Sequence, residues 1–255
     1  MKLTESAAIV TGGASGLGEA TVRHLVGNGG RAAIFDVQEE QGKNLVAELG
    51  KNAIFAHADV TSEQSILEAI ERMVEKFGTF NVVVNCAGVV TPGKVVGRNG
   101  PLALDQYARV IQINLIGTFN VIRLAAARMV GNAPNAEGER GVIVNTASLA
   151  AFEGQIGQAA YASSKAGVVG LTLPIARELG GSGIRVMTIA PGLFETPMVD
   201  SLPEAAKEAL AKMPVFPKRF GRPTEFALLV QQIVENPMLN GSVIRLDAGM
   251  RMAEK

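Results

Sequence analysis

Tyr161 and Lys165 stand at i and i+4, and Ser148 follows an apolar run that begins at Val142. On a helix that spacing puts a phenol and an ammonium on one face. A phenol is a poor base at neutral pH because its unperturbed pKa is about 10; lowering it to about 7 takes roughly 4 kcal/mol of preferential stabilisation of the phenolate. A neighbouring ammonium supplies part of that, and cofactor charge supplies more. Ser148 would then hydrogen-bond a substrate oxygen that changes between alcohol and carbonyl. In isolation a Tyr-x-x-x-Lys pair is usually a solvated helix face, so the pair counts only in company.

From Ile156 to Ala176 the one charged side chain is Lys165. A surface helix normally shows a polar stripe, and this stretch offers only Ser, Thr, Gln and Gly besides the lysine. A second hidden face is expected, most simply against another subunit. Lys165 needs a partner in so apolar a segment, which a nucleotide ribose and a tyrosine would provide. Pro174 is expected to kink or loosen the helix.

Near the start of the chain, Thr11, Gly12, Gly13, Ala14, Ser15, Gly16, Leu17 and Gly18 join an apolar run to a segment carrying Val22 and Leu25. A Gly-rich strand-to-helix turn lets backbone N–H groups approach a pyrophosphate, whose charge is favoured at the positive end of the helix. The alternative is an ordinary tight turn. Asp36 ends the next apolar run, where a carboxylate can accept hydrogen bonds from the adenosine ribose hydroxyls. A 2′-phosphate about 4 Å from it would be repelled by roughly 4 kcal/mol at an effective dielectric near 20. The glycine turn contains no Arg or Lys to compensate. The cofactor expectation is therefore NAD rather than NADP, with a plain surface Asp as the bland alternative. Asn85, Cys86, Ala87 and Gly88 follow the fourth run, small enough for a cofactor ring to lie against the backbone; Cys86, among apolar neighbours, reads as a packing residue and not a nucleophile.

The elements that must position these groups are seven apolar or β-branched runs: Ala7 to Thr11, Arg31 to Phe35, Ala53 to His57, Asn81 to Val84, Val142 to Thr146, Ile184 to Ala190 and Ser242 to Leu246. Helical spacing falls between them, as in Ser62 to Phe77, opened by Thr61 and Gln64 as a capping box, and Glu225 to Glu235 after Pro223. Continuous apolar strands alternating with helices predict an α/β fold: one Rossmann-type, doubly wound domain with a seven-stranded parallel sheet flanked by helices on both faces. No repeat or linker divides residues 1–255; the dinucleotide-binding part covers about 1–147 and the catalytic, substrate-binding part about 148–255. Val90 to Pro101 and Gly131 to Arg140 read as exposed loops.

Composition excludes other classes. Among 255 residues, 24 basic and 24 acidic side chains balance, so no chain-wide cationic field points to nucleic acid or a membrane surface. One cysteine and two histidines, His24 and His57, give no metal-ligand spacing. No apolar run approaches the length of about 18 to 20 residues needed to span a bilayer, and Met1 to Ser6 is too short and mixed for a signal peptide. A soluble, intracellular protein is the expectation.

Taken together, Thr11-Gly12-x-x-x-Gly16-x-Gly18, Asn85-Cys86-Ala87-Gly88, Asn114, Ser148, Tyr161-x-x-x-Lys165 and Pro191-Gly192 resemble the short-chain dehydrogenase/reductase family over essentially the whole chain. Ala150 to Tyr161, Gly170 to Arg177, Ile184 to Phe194 and Glu235 to Met252 are similar to the subgroup that acts on 3-hydroxyacyl-CoA thioesters and hydroxysteroids, and both long loops match that subgroup's insertions. The resemblance implies that Tyr161 is the acid/base, that Lys165 lowers its pKa and binds the nicotinamide ribose, that Ser148 orients the substrate oxygen and that Asn114 supports a proton-relay water. It implies NAD contacts from Gly12, Ser15, Gly16, Leu17, Gly18, Asp36, Asp59, Val60, Cys86, Ala87, Gly88, Tyr161, Lys165, Pro191, Gly192, Phe194 and Thr196. Cys86 stands where the wider family more usually has Asn. Substrate contacts fall to Ser148, Gln155, Tyr161, Leu193, Met198, Leu202 and Phe216, with Phe194 adding apolar surface; the alternative for the apolar ones is core packing of a loop and short helix. The implied partners are an acyl-CoA or steroid substrate and further copies of the chain in a homotetramer, with no metal, no primary nucleic-acid partner and no membrane. Without an Arg-rich presequence the expected compartment is the cytoplasm, with the mitochondrial matrix as the alternative for a eukaryotic source. The rival readings are an NADPH-dependent 3-oxoacyl reductase of the same family and a non-catalytic scaffold that keeps the nucleotide fold.

Overall fold

Strands built from continuous Val, Ile and Ala need both faces covered, and the chain meets that need by sending successive crossovers to opposite sides of one sheet. The computed structural model describes residues 1–98, 100–200 and 204–254. Its strands are β1 (Ala7–Thr11), β2 (Arg31–Asp36), β3 (Ala53–His57), β4 (Val82–Asn85), a small pair β5 (Val96–Gly97) and β6 (Gly100–Pro101), then β7 (Gly141–Thr146), β8 (Ile184–Pro191) and β9 (Val243–Leu246). The main sheet is parallel, in the order β3-β2-β1-β4-β7-β8-β9. Chain direction across the sheet reverses between β1 and β4, and ligands of such sheets bind in the crevice beyond the carboxyl ends at that reversal. All seven expected strands are present, with ends displaced by no more than a residue. The antiparallel β5–β6 pair lies inside the first expected loop.

Helices α1 (Gly16–Gly27), α2 (Glu39–Leu49) and α9 (Pro223–Glu235) pack on one face through Val22, Leu25, Leu45, Phe226 and Val230. On the other face lie α3 (Glu63–Phe77), α5 (Thr118–Met129) and α6 (Ala159–Gly180), through Ile66, Ile70, Met73, Val121, Ile122 and Ile175. Helix α4 (Leu104–Ile111) runs through a π-helical turn at Gln112–Gly117 directly into α5. The remaining helices are the short α7 (Pro197–Asp200) and α8 (Glu204–Ala211).

Four local expectations change. The cap of α3 is Ser62, whose hydroxyl accepts from the Ser65 amide at 3.2 Å, while Thr61 donates to Asp59 instead of opening the helix. Helix α6 runs unbroken through Pro174. The continuous helix Leu104–Met129 is long and apolar enough to cross a membrane, contrary to the sequence expectation; half of its most apolar 18-residue window is buried, and α5 lays its apolar side on the sheet. The loop Gly131 to Arg140 is not wholly exposed: Glu139 is buried in an ion pair with Arg185 of β8 at 2.7 Å. Arg185 also donates to the carbonyls of Ile233, Val234 and Leu239, closing the C-terminal end of α9, where a cation is favoured.

Candidate active site

The glycine turn closes on the end of β4. Gly12 has φ +62°, a left-handed conformation that glycine adopts without strain, and a methyl there would stand 2.8 Å from the Ala87 amide nitrogen. A methyl on Gly18 would overlap the Gly12 carbonyl. Ser15 caps α1 in an extended conformation without a side-chain cap bond, so its hydroxyl leaves the first amides of the helix free for an anion. This glycine cradle fits a dinucleotide pyrophosphate, with Gly16, Leu17 and Gly18 supplying backbone at the helix start.

At the end of β2, Asp36 is buried and binds the turn from outside. One oxygen accepts from the Ala14 amide and the other from the Gln38 amide, each at 3.0 Å. Each oxygen keeps a second lone pair, so the carboxylate can still accept from a ribose diol. The neighbouring loop is tied to the same strand end: the Ala58 amide donates to the Asp36 carbonyl, and the Asp59 carboxylate accepts from the Thr61 amide and hydroxyl. Val60 is buried, its carbonyl held by Asn120 at 3.0 Å. Asp36, Asp59 and Val60 thus stand together at and just beyond the carboxyl ends of β2 and β3, with Asp36 bonded to the glycine turn.

Beyond β4, Cys86 accepts a hydrogen bond from Thr146, and burial pushes its thiol up to about 11, which suits a packing residue and not a thiolate. The Ala87 amide is bound by Thr11. Gly88 marks the convergence of the reactive groups: a methyl there would lie 3.3 Å from Asn114 Oδ1 and 3.5 Å from Lys165 Nζ. Asn114, fully buried in the π-helical turn, accepts from the Val89 amide at 2.8 Å and donates to the Val89 carbonyl at 2.9 Å.

Lys165 is buried on α6, and its ammonium donates to the Thr146 carbonyl at 2.8 Å. It lies 5.8 Å from the centre of the Tyr161 ring, so the i, i+4 pair shares one face as expected. Burial pulls the lysine pKa down to about 8. Burial likewise pushes the Tyr161 phenol above its ordinary value, while a hydrogen bond with Ser148 acts the other way. The chain by itself therefore opposes the expected lowering of the phenol, and the cationic charge brought to the site must outweigh burial. Ser148 leads a 3₁₀ turn, Leu149–Ala151, and its oxygen accepts from the Ala150 amide.

Ser164 escaped the sequence reading. Its fully buried hydroxyl accepts from Asn114 at 3.0 Å and donates to the Tyr161 carbonyl at 2.7 Å, joining the π-helical turn to α6. A serine one residue before the lysine carries no signal of its own; only the contact reveals it. A polar row across β1, β4, β7 and β8 (Thr11, Asn85, Asn145, Thr188, in register) was likewise unread.

The remaining expected contacts divide. Pro191 and Gly192 end β8, with the Gly192 amide on the Leu246 carbonyl, and Thr196 reaches over the glycine turn, its methyl 3.5 Å from where a methyl on Gly16 would stand. Phe194 is buried and stacks over Gly221, in the core. Leu193 is partly buried and bonds Gly221 through its carbonyl. Gln155 donates to the Ala253 carbonyl, and Phe216 is 82% exposed. Leu202 and the side chain of Met198 lie outside the described residues.

Residues 6–207 match the family model described as short chain dehydrogenase. The chain is 54% identical to the 3-hydroxyacyl-CoA dehydrogenase type-2 of Rattus norvegicus, covering 96% of this chain and 95% of that one, and 52% identical to the enzyme of the same name from Drosophila melanogaster, covering 98% and 99%. A crystal structure of 3-hydroxyacyl-CoA dehydrogenase type-2 from Mycobacterium avium superposes with a TM-score of 0.95 at 46% identity, covering all of both chains. With a cradle for a nicotinamide dinucleotide at the sheet reversal and Tyr161, Lys165 and Ser148 gathered beside it, the chain belongs to the short-chain dehydrogenase family of oxidoreductases.

Proposed function

We propose that this protein is an NAD-dependent dehydrogenase that interconverts 3-hydroxyacyl-CoA and 3-oxoacyl-CoA thioesters. The observation that carries the reading is the convergence of Asn114 and Lys165 on Gly88, with Lys165 sharing a helix face with Tyr161. The substrate class is supported by the 3-hydroxyacyl-CoA dehydrogenases to which the chain is 52 to 54% identical over nearly whole chains. The preference for NAD is supported by the buried Asp36 carboxylate, which a 2′-phosphate would face without a basic residue in the glycine turn.

The chemistry that a bound oxidised nicotinamide supplies is acceptance of the hydride leaving the carbinol carbon. Tyr161 takes the proton of the 3-hydroxyl as the carbon–oxygen bond becomes a carbonyl, and returns it in the reverse direction. Ser148 holds the reacting oxygen through its hydroxyl, whose alignment is set by the 3₁₀ turn that it caps. Lys165 supplies positive charge on the Tyr161 face, anchored through Thr146, and binds the ribose. Asn114 clamps Val89 through both faces of its backbone and so holds Gly88 at the distance the site requires.

The reading includes a homotetramer, supported by the exposed line of Ser163, Ala166, Gly170 and Leu173 on α6 and by exposed Ile116 and Phe119 beside it. A panel of 3-hydroxyacyl-CoA thioesters and hydroxysteroids, assayed with both cofactors, tests the whole. The expected result is turnover of the thioesters with NAD at a kcat/KM at least a hundredfold above that with NADP, a ratio inside the roughly 4 kcal/mol set by the Asp36 repulsion. Equal kcat/KM for the two cofactors, or no thioester turnover, overturns it.

A further inference from the structure

We infer that Glu153 is a positioning residue for the Ser148 hydroxyl, held in a clamp that the C-terminal segment closes. The inference rests on the dehydrogenase reading and adds to it a part that lies far from the active site in sequence. No slack separates the two residues. The Ala150 amide donates to Ser148 Oγ, the Ala151 amide to the Ser148 carbonyl, and the amides of Phe152 and Glu153 both to the Leu149 carbonyl, so the tight turn passes any displacement of Glu153 back to Ser148.

Glu153 is pinned at both oxygens. Arg245, at the end of β9, binds it two-pronged, Nη1 to Oε1 at 2.9 Å and Nη2 to Oε2 at 3.1 Å, the geometry in which a guanidinium fixes direction as well as charge. The Met252 amide donates to Oε2 at 3.0 Å, and Arg251 Nε lies 3.5 Å from Oε1. Arg245 is itself oriented by Asp247 at 2.8 Å, by the Met250 carbonyl at 3.2 Å and by the Phe152 ring beneath it. Two carboxylates and two guanidiniums balance in this cluster. The clamp then continues along the segment toward Tyr161: Gln155 donates to the Ala253 carbonyl at 3.1 Å, and the Ile156 amide to the Glu254 carbonyl at 2.9 Å. Across the segment, the Gly157 carbonyl accepts from Gly93 at 2.8 Å. The stretch from Ser148 to the start of α6 is thus tied to the last residues of the chain by four separate bonds, and its two ends carry the serine and the tyrosine.

Loosening this clamp lets Ser148 move away from Tyr161. Because Ser148 acts to lower the Tyr161 phenol, its withdrawal raises the pH at which Tyr161 becomes a base, and the acid limb of the oxidation profile moves to higher pH. A purely structural role would lower stability without moving that limb. The test compares the full-length parent with Glu153→Gln and Arg245→Lys, measuring oxidation of 3-hydroxybutyryl-CoA with NAD from pH 6 to pH 10, NADH binding by fluorescence, and Tm. The expected result is a fall in kcat of fivefold or more and an acid limb displaced upward by about half a pH unit, with the NADH Kd within twofold of the parent. Arg245→Lys keeps the charge but not the two-pronged bond and gives the same change to a smaller degree; it decides the matter if Glu153→Gln does not fold. An acid limb at the parent's pH in a folded variant, or a loss of NADH affinity that accounts for the fall in rate, overturns the inference. A parent that oxidises no 3-hydroxyacyl-CoA overturns the dehydrogenase reading and this inference with it, whereas an active parent with unaltered variants overturns this inference alone.

Discussion

Replacing Lys165 by methionine removes the charge while keeping most of the apolar stem, and the buried setting of that lysine fixes what stability must do. Burial lowers its pKa from 10.5 to about 8. Between those two values the unfolded chain holds a proton that the folded chain has lost, so the parent gains stability as pH rises from 8 toward 10.5; below about 8 the full cost of burying the charge is present. At about 1.4 kcal/mol per pH unit that cost is roughly 3 kcal/mol at pH 7, and about 2 kcal/mol of it is relieved by pH 9.5. Lys165→Met has no such charge to bury. Its stability relative to the parent therefore falls by about 2 kcal/mol between pH 7 and pH 9.5, whatever constant is added by losing the bond to the Thr146 carbonyl. Urea unfolding of both proteins at the two pH values, followed by circular dichroism, measures the difference, and titrations shared by the two proteins cancel. A difference that stays constant within roughly 0.5 kcal/mol would refute the reasoning, because the lysine would then titrate as an exposed one. The variant also loses turnover, so the altered pH dependence of stability and the loss of activity are expected to arise from the same atom.

Three further outcomes follow from the site. Asp36→Asn removes the charge that faces a 2′-phosphate; since that repulsion is worth at most about 4 kcal/mol, the preference for NAD over NADP in kcat/KM narrows by tenfold or more, and an unchanged ratio would count against Asp36 as the selector. Gly12→Ala places a methyl 2.8 Å from the Ala87 amide at a φ of +62°, so Tm falls and NADH binding by fluorescence weakens at least tenfold; normal binding would show that the turn does not approach β4 so closely. Ser164→Ala cuts the link between Asn114 and Tyr161, and steady-state rates are expected to fall between threefold and tenfold, in keeping with a buried bond worth about 1 kcal/mol.

What could be read from residue order was whatever has a short period or a local spacing. Val82, Val83 and Val84, or Ile184 to Ala190, announce buried parallel strands because both faces are apolar, and Tyr161 and Lys165 announce a shared face because four residues make about one helical turn. Contacts that join distant segments left no such trace. Glu153 meets Arg245 ninety-two positions away, and Glu139 meets Arg185 across a loop that looked wholly solvent-facing. Nothing in the residue order distinguishes Ser164 from Ser163; burial against Asn114 sets it apart. The phenol was expected to be lowered by its neighbours, but one lysine N–H is turned to Thr146, and burial acts on the phenol in the opposite direction. Phe194 and Phe216 are alike by residue type, yet Phe194 is core and Phe216 is exposed.

Tyr161→Phe tests most directly whether the phenol oxygen is the proton acceptor, because it deletes one atom and leaves the ring, Lys165 and the glycine cradle in place. The account predicts that 3-hydroxybutyryl-CoA oxidation falls by a factor of about 10² to 10⁴ while NADH binds within twofold of the parent. Retention of most of the activity, with the acid limb of the pH profile unmoved, would contradict it.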